Sequence, residues 1–253
     1  MENFIKNLAR GAGKILREGF GTEFKVNHKL GYWDLVTEYD LASEKFIIDR
    51  IRRRFPGHGV LSEEMGQIGS RKNIWVIDPL DGTIPFSRGY AQFGVSIGFA
   101  SNNIIKHGVV YDPVLDELFY AQKGKGAYLN GKRIRIFEPE ALHFANAYFV
   151  LGTGMASDHQ RRYFYNKLVI PYQLWRAGVL AATLSLAHTA AGRLDLAISY
   201  LPPWDNCAGA LLLKEAGAKV TDFKGRPYRW DGEELVAASP KIHGEIIKVL
   251  MKM

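Results

Sequence analysis

One segment constrains this chain more than any other: Trp75-Val76-Ile77-Asp78-Pro79-Leu80-Asp81-Gly82-Thr83. Its apolar opening reads as a buried strand that delivers Asp78 at its C-terminal end. Pro79 biases its neighbour toward extended backbone and cannot donate to a ladder, so the chain turns here. Asp81 follows three residues after Asp78, and Gly82 then frees the backbone. Two carboxylates this close on a tight, buried turn repel each other unless cations sit between them. Hard oxygen donors of this kind suit Mg²⁺ or Mn²⁺. The amides of Gly82 and Thr83, where Pro85 can open a helical turn, offer a seat for an anion. Taken alone, Asp78 and Asp81 also fit a plain turn.

The surrounding chain is that of a folded, water-exposed protein. It has 253 residues, 47% hydrophobic and 23% charged, enough to bury a sizeable core without staples. Its one cysteine, Cys207, excludes a disulfide scaffold and a Cys-based zinc site, and fits a reducing compartment. Apolar runs stop far short of the roughly 20 residues of a spanning helix, so no membrane association is expected. The start, Met1-Glu2-Asn3-Phe4-Ile5-Lys6, lacks a signal-peptide pattern, and a cytoplasmic location is expected. The net charge of +7 does not point to nucleic acid. Basic residues are spread along the chain, and the densest cluster, Arg50 to Arg54, reads as the solvated end of a helix. A mild positive field would equally draw in a small phosphate ester.

Periodicity predicts helices over 3–18 and 37–55, the second opening on a capping-box pattern at Thr37-Glu38-Tyr39-Asp40. The polar stretch Thr22 to Trp33 between them reads as a loop or hairpin. Short strands follow at 59–62, 74–77, 94–100, 104–111, 117–121 and 127–129, with a turn at Leu129-Asn130-Gly131-Lys132. Composition changes at Phe137-Glu138-Pro139-Glu140, the candidate boundary between a domain of residues 1–138 and one of 139–253. Beyond it, strands at 147–151, 172–175, 194–198 and 235–238 alternate with helices near 158–167, 180–191 and 206–216 and one after Pro240. The fold class is mixed α/β (α+β), with two sheet-containing halves.

Two further acidic spots matter. Glu63 and Glu64 end the strand Leu61-Ser62, and Asp205 follows Pro202-Pro203-Trp204 at a helix start. Asp205 and Asp40 alone fit helix caps, and the two glutamates fit a solvated loop. Cys207 and His188, inside apolar helices, read as packing residues. Together, however, these features resemble the inositol monophosphatase family, within the superfamily that includes fructose-1,6-bisphosphatases. The matching segments are Asp34 to Asp40, Glu63-Glu64, Asp78 to Thr83, Gly94 to Gly98, Gly124 to Ala127 and Trp204-Asp205, in family order over nearly the whole chain.

The resemblance implies a layered α-β-α-β-α sandwich and a Mg²⁺-dependent, Li⁺-sensitive phosphomonoesterase, assembled as a homodimer or homotetramer. It implies that Glu63, Asp78 and the Leu80 carbonyl hold one ion, that Asp78, Asp81 and Asp205 hold a second, and that Glu63 helps with a third. Asp40, bonded to Thr83, would orient and deprotonate the attacking water. The amides of Gly82 and Thr83 would grip the phosphate, with Asp81 beside them, and Lys29 matches a position in the family's mobile catalytic loop. The chemistry is consistent with this: a phosphate dianion repels hydroxide, and two cations about 4 Å apart neutralise charge, align water and stabilise the leaving alkoxide.

Substrate recognition departs from the family. Where inositol-specific members carry Gly and Ser/Thr, this chain has Val179 and Leu180, and the residue seven before Asp205, their sugar-binding Glu, is Ile198. Loss of such polar partners broadens recognition. The expected substrate is a small phosphorylated polyol or sugar, inositol 1-phosphate or fructose 1,6-bisphosphate, with Arg176 or a nearby Lys or Arg as a cation for a second phosphate. Phosphatases of 3′-phosphoadenosine 5′-phosphate and of histidinol phosphate are the rivals within the superfamily. A non-catalytic regulatory binding protein would have lost a metal carboxylate, and none is lost.

Overall fold

The segment around Asp78 lies on an interior strand of a sheet, and its residues are apolar on both faces, which only a doubly covered strand tolerates. The computed structural model describes residues 1–28, 35–151, 157–176 and 181–253, and of Arg176 the backbone alone. Lys29, Asp34, Val179, Leu180 and the side chain of Arg176, all singled out by the sequence, lie outside the described residues.

The elements run α1 (Glu2–Gly19), β1 (Val26–His28), β2 (Leu35–Thr37), α2 (Glu38–Arg54), β3 (Gly59–Ser62), β4 (Gly66–Ile68), β5 (Asn73–Asp81), α3 (Thr83–Ser87), β6 (Gly94–Ser101), β7 (Ile104–Asp112), β8 (Glu117–Gln122), β9 (Gly126–Leu129) and β10 (Lys132–Ile134). There follow β11 (Asn146–Leu151), α4 (Asp158–Phe164), a π-helical turn (Tyr165–Val169), β12 (Trp175–Arg176), α5 (Ala182–Ala190), β13 (Leu196–Tyr200), α6 (Pro203–Glu215), β14 (Lys219–Thr221), β15 (Glu234–Ala238) and α7 (Pro240–Leu250). An eight-stranded sheet has the order β10-β9-β8-β7-β6-β5-β3-β4, and a five-stranded one β12-β11-β13-β15-β14. The first sheet is antiparallel except at β3–β5.

The larger hydrophobic cores stack the layers. α1 and α2 cover the outer face of the large sheet through Ile5, Leu8, Leu16, Ile47 and Ile51. α5 and α6 fill the space between the two sheets, and the outer face of the small sheet packs under α7 and α4. The α-β-α-β-α layering implied by the resemblance is therefore present. α1 is amphipathic because one side meets water; α6 is buried from Asn206 to Leu213 because both sides meet a sheet. Each fully buried Leu or Ile contributes about 1.5–3 kcal/mol of transfer free energy.

Several boundaries differ from the sequence expectation. β5 continues through Pro79 to Asp81: the ladder pairs Asp78 with Ser96 and next Asp81 with Gly94, and the irregularity between them frees Pro79 from donating. α6 begins at Pro203, because proline suits a first helical position. The stretch Thr22 to Trp33, expected as a loop or hairpin, does contain β1, paired antiparallel with β2. The helix expected over 158–167 ends at Phe164 and relaxes into the π-helical turn, and only Trp175–Arg176 of the next expected strand and its neighbour pair. β4 and β14, three residues each, carry no periodicity to read.

The approach of α6 to the large sheet needs two glycines paired across β6 and β7, Gly98 and Gly108. A Cβ on Gly98 would lie 2.6 Å from Cys207 Sγ, and one on Gly108 would lie 2.8 Å from the Ala208 carbonyl oxygen. Gly108→Ala is expected to lose about 1–3 kcal/mol in denaturant unfolding, since backbone must move to admit the methyl. Because α6 carries Asp205, the variant should also gain less thermal stability from Mg²⁺; an unchanged unfolding midpoint would contradict this packing.

Candidate metal centre and proton acceptor

Three strands and helices aim acidic side chains at one point. The β5 irregularity presents Asp78 and Asp81, and the first turn of α6 presents Asp205. One carboxylate oxygen from each lies within 4.8 Å of the others. Asp78 and Asp81 are buried and Asp205 half-buried. Glu63 follows β3, its amide donating to the Ile77 carbonyl at 3.3 Å. Burial pushes Asp78 well above the usual carboxylate range, and the charges of Glu63, Asp81 and Asp205 push it further. Burial likewise raises Asp205, with Asp81 and Glu63 adding to it. Asp81 is raised by burial but held back by hydrogen bonds from Thr183. An all-oxygen, buried set whose members repel each other is the donor set of a hard divalent cation, so the residues present fit one.

The supporting bonds come from elsewhere in the chain. Thr183, at the start of α5, donates its amide and its hydroxyl to Asp81 Oδ2, each at 2.6 Å. On α2, Ser43 donates to the Pro79 carbonyl at 2.8 Å, and Glu44 accepts from the amides of Glu64 and Met65 at 3.2 and 3.0 Å. Ser43 thus fixes the bend between the two aspartates, and Glu44 fixes the turn that carries Glu63. Sequence reading missed these three. The signal was present for two of them: Thr37, Asp40, Ser43 and Glu44 recur at helical spacing as a buried polar stripe on one face of α2. Thr183 had no local signal, since its partner is 102 residues away.

Asp40 serves both readings that the sequence left open. It occupies the third position of α2 and closes the capping box with Thr37, whose amide and hydroxyl donate to Asp40 Oδ2 at 2.8 and 2.5 Å. Its other oxygen accepts from Thr83 Oγ1 at 3.0 Å. Burial outweighs these bonds and raises the Asp40 carboxyl to about 6. Thr83 opens α3 behind Gly82, whose φ of +88° suits glycine. A Cβ at Gly82 would also meet the Gln92 carbonyl oxygen at 2.7 Å. The Leu80 carbonyl lies 3.2 Å from Thr83 Oγ1. Asp205 does not cap α6, a place taken by Pro202. Cys207 and His188 pack as expected, Cys207 fully buried and His188 edge-on to Phe119.

Ile198 turns away from this cluster. Its side chain is wholly buried in the outer core with Leu196 and Val236, while Ser199 bonds to Asn206 at 2.7 Å. Counting back from Asp205 therefore does not identify a residue that lines the site.

Comparisons with known proteins agree with this geometry. A model of the inositol monophosphatase family matches residues 1–252. A Thermotoga maritima protein named fructose-1,6-bisphosphatase/inositol-1-monophosphatase is 35% identical over 250 residues, covering 98% of this chain and 94% of its own. A Pseudomonas aeruginosa protein named Nus factor SuhB is 38% identical over 256 residues, covering 95% and 92%. Among solved structures, a Thermotoga maritima IMPase superposes with a TM-score of 0.87 at 32% identity, covering 100% of this chain and 98% of that one.

Removing one charge should relieve the cluster. Asp205→Asn is expected to raise the metal-free melting temperature by about 2–4 °C for each kcal/mol of repulsion removed. It should also abolish most of the rise that Mg²⁺ gives the unmodified protein. A lower metal-free melting temperature with the Mg²⁺ response intact would show that repulsion does not govern this site.

Proposed function

The chain belongs to the inositol monophosphatase family, and we propose that it hydrolyses a small phosphorylated polyol or sugar, inositol 1-phosphate or fructose 1,6-bisphosphate, with two or three Mg²⁺ ions. It is a metal-dependent phosphatase. The observation that carries the reading is the convergence of Asp78, Asp81 and Asp205 beside the Asp40–Thr83 pair. Asp78, Asp81 and Asp205, with Glu63 and the Leu80 carbonyl, would hold the ions. When bound, such ions supply the positive charge that lets a nucleophile approach a phosphate dianion and lower the pKa of water.

The chain's own groups move the proton. With its hydrogen directed at Asp40 Oδ1, Thr83 Oγ1 presents a lone pair to the attacking water. The water's proton passes to Thr83 Oγ1 as the threonine's own passes to Asp40. At neutral pH Asp40, with a pKa of about 6, is ionised and able to accept it. Thr37 keeps the carboxylate from turning away. The Gly82 and Thr83 amides, at the start of α3, would orient the phosphate. Lys29 keeps the place in the catalytic loop that the resemblance gives it, and Arg176 or a nearby Lys or Arg is the cation for a second phosphate. The same reading includes Li⁺ sensitivity, a cytoplasmic location and a homodimer or homotetramer; among the described residues no helix is long and apolar enough to cross a membrane.

The test is phosphate release from inositol 1-phosphate, fructose 1,6-bisphosphate, 3′-phosphoadenosine 5′-phosphate and histidinol phosphate, with Mg²⁺ and with excess chelator. Release from the first or second, lost with chelator, is the expected result; release from the third or fourth alone would reassign the substrate. Asp40→Asn should lower kcat by about 10²–10⁴ while leaving the Mg²⁺-dependent gain in melting temperature. A kcat within a few-fold of the unmodified protein would remove Asp40 from the reaction.

A further inference from the structure

A second concavity lies at the far end of α6. Asp205 sits in the helix's first turn and Lys214 in its last, about 14 Å apart along the axis at 1.5 Å per residue. Ala210 and Leu211 form the floor of a cavity of about 190 Å³, walled by Ile105, Val220, Tyr228 and Trp230. That is the scale of the roughly 150 Å³ engineered apolar cavity that takes up benzene.

Its rim is cationic. Lys214 and Lys123 both border the opening and are exposed, and among the described residues neither has a carboxylate within ion-pairing distance. The nearest acid on the helix, Glu215, is engaged: its two oxygens accept from the amides of Gly124 and Gly126 at 2.7 and 2.9 Å. That clamp ties the turn carrying Lys123 to the end of α6, so both lysines arise beside one mouth. Asn103 completes the rim. Its Oδ1 accepts from Trp230 Nε1 at 3.2 Å, which leaves its amide NH₂ to donate.

We propose that this cavity is a second ligand site, one that takes a small anion with a flat apolar body, of the aryl carboxylate class. The ring would fill the space over Ala210 and Leu211, and the carboxylate would meet Lys123, Lys214 and the Asn103 amide. Saturating Mg²⁺ and inorganic phosphate occupy the acidic cluster at the other end of α6, so an organic anion that binds under those conditions reports this cavity.

The experiment is calorimetric titration of the intact protein with 2-naphthoate, in saturating Mg²⁺ and inorganic phosphate. One equivalent is expected to bind per chain, and Lys123→Glu/Lys214→Glu should weaken it at least tenfold. Lys241→Glu/Lys248→Glu changes the net charge equally on α7, where both lysines are exposed, and should leave binding within about twofold. Ala210→Phe, which fills the floor while keeping the rim, should also abolish it. No saturable binding, several equivalents per chain, or equal weakening in both double variants would overturn the proposal.

Discussion

The mutual repulsion of Asp78, Asp81 and Asp205, three carboxylates that the fold holds together away from bulk water, is the interaction on which the rest of the structure depends. No chain gathers such groups for its own stability, since burial and like charge both disfavour the ionised forms. The architecture can be read as the means of keeping them together. A nine-residue strand covered on both faces supplies two of them at an irregularity, and a helix wedged between two sheets supplies the third. The paired glycines of β6 and β7 let that helix approach. Ser43 and Thr183 then fix the bend and the second aspartate by hydrogen bonds from separate helices.

The same burial acts in the same direction on the neighbouring Asp40, where more hydrogen bonds oppose it. Asp40 is also withdrawn from water, but three hydrogen bonds, two from Thr37 and one from Thr83, hold its shift back. One environment therefore yields a cluster that calls for cations and a neighbour poised to take a proton near neutral pH. The cap of α2 is at once a folding signal and the mount of that acceptor. Loss of Thr37 would disturb both, which is why the helix start and the chemistry are not separable by a single deletion.

How much of this was legible in the chain follows from the range of each interaction. The Asp-Pro-Leu-Asp-Gly-Thr turn, the capping box and the Trp204-Asp205 helix start are local, and each stands where the sequence put it to within a few residues. Pro79 misled, since proline ends most strands, and only the unpaired step in the ladder shows how β5 accommodates it. Thr183 acts on a partner 102 residues away, so no window of sequence displays its role, whereas the polar stripe of α2 marks Glu44 as facing something polar without naming its partner 20 residues on. Ile198 shows the reverse failure. A residue count placed it at the site, whereas the alternation of β13 turns it into the outer core. Counting along a chain does not survive the turn between a strand and the next helix.

The central claim is that the acidic cluster is a cation site and not a set of protonated, mutually bonded acids. A crystal structure grown with Mn²⁺, with anomalous difference maps collected near the manganese edge, tests it most directly. The account predicts peaks within bonding distance of Asp78, Asp81 and Asp205. A map with the three side chains in hydrogen-bonding contact, and manganese bound elsewhere or not at all, would contradict it.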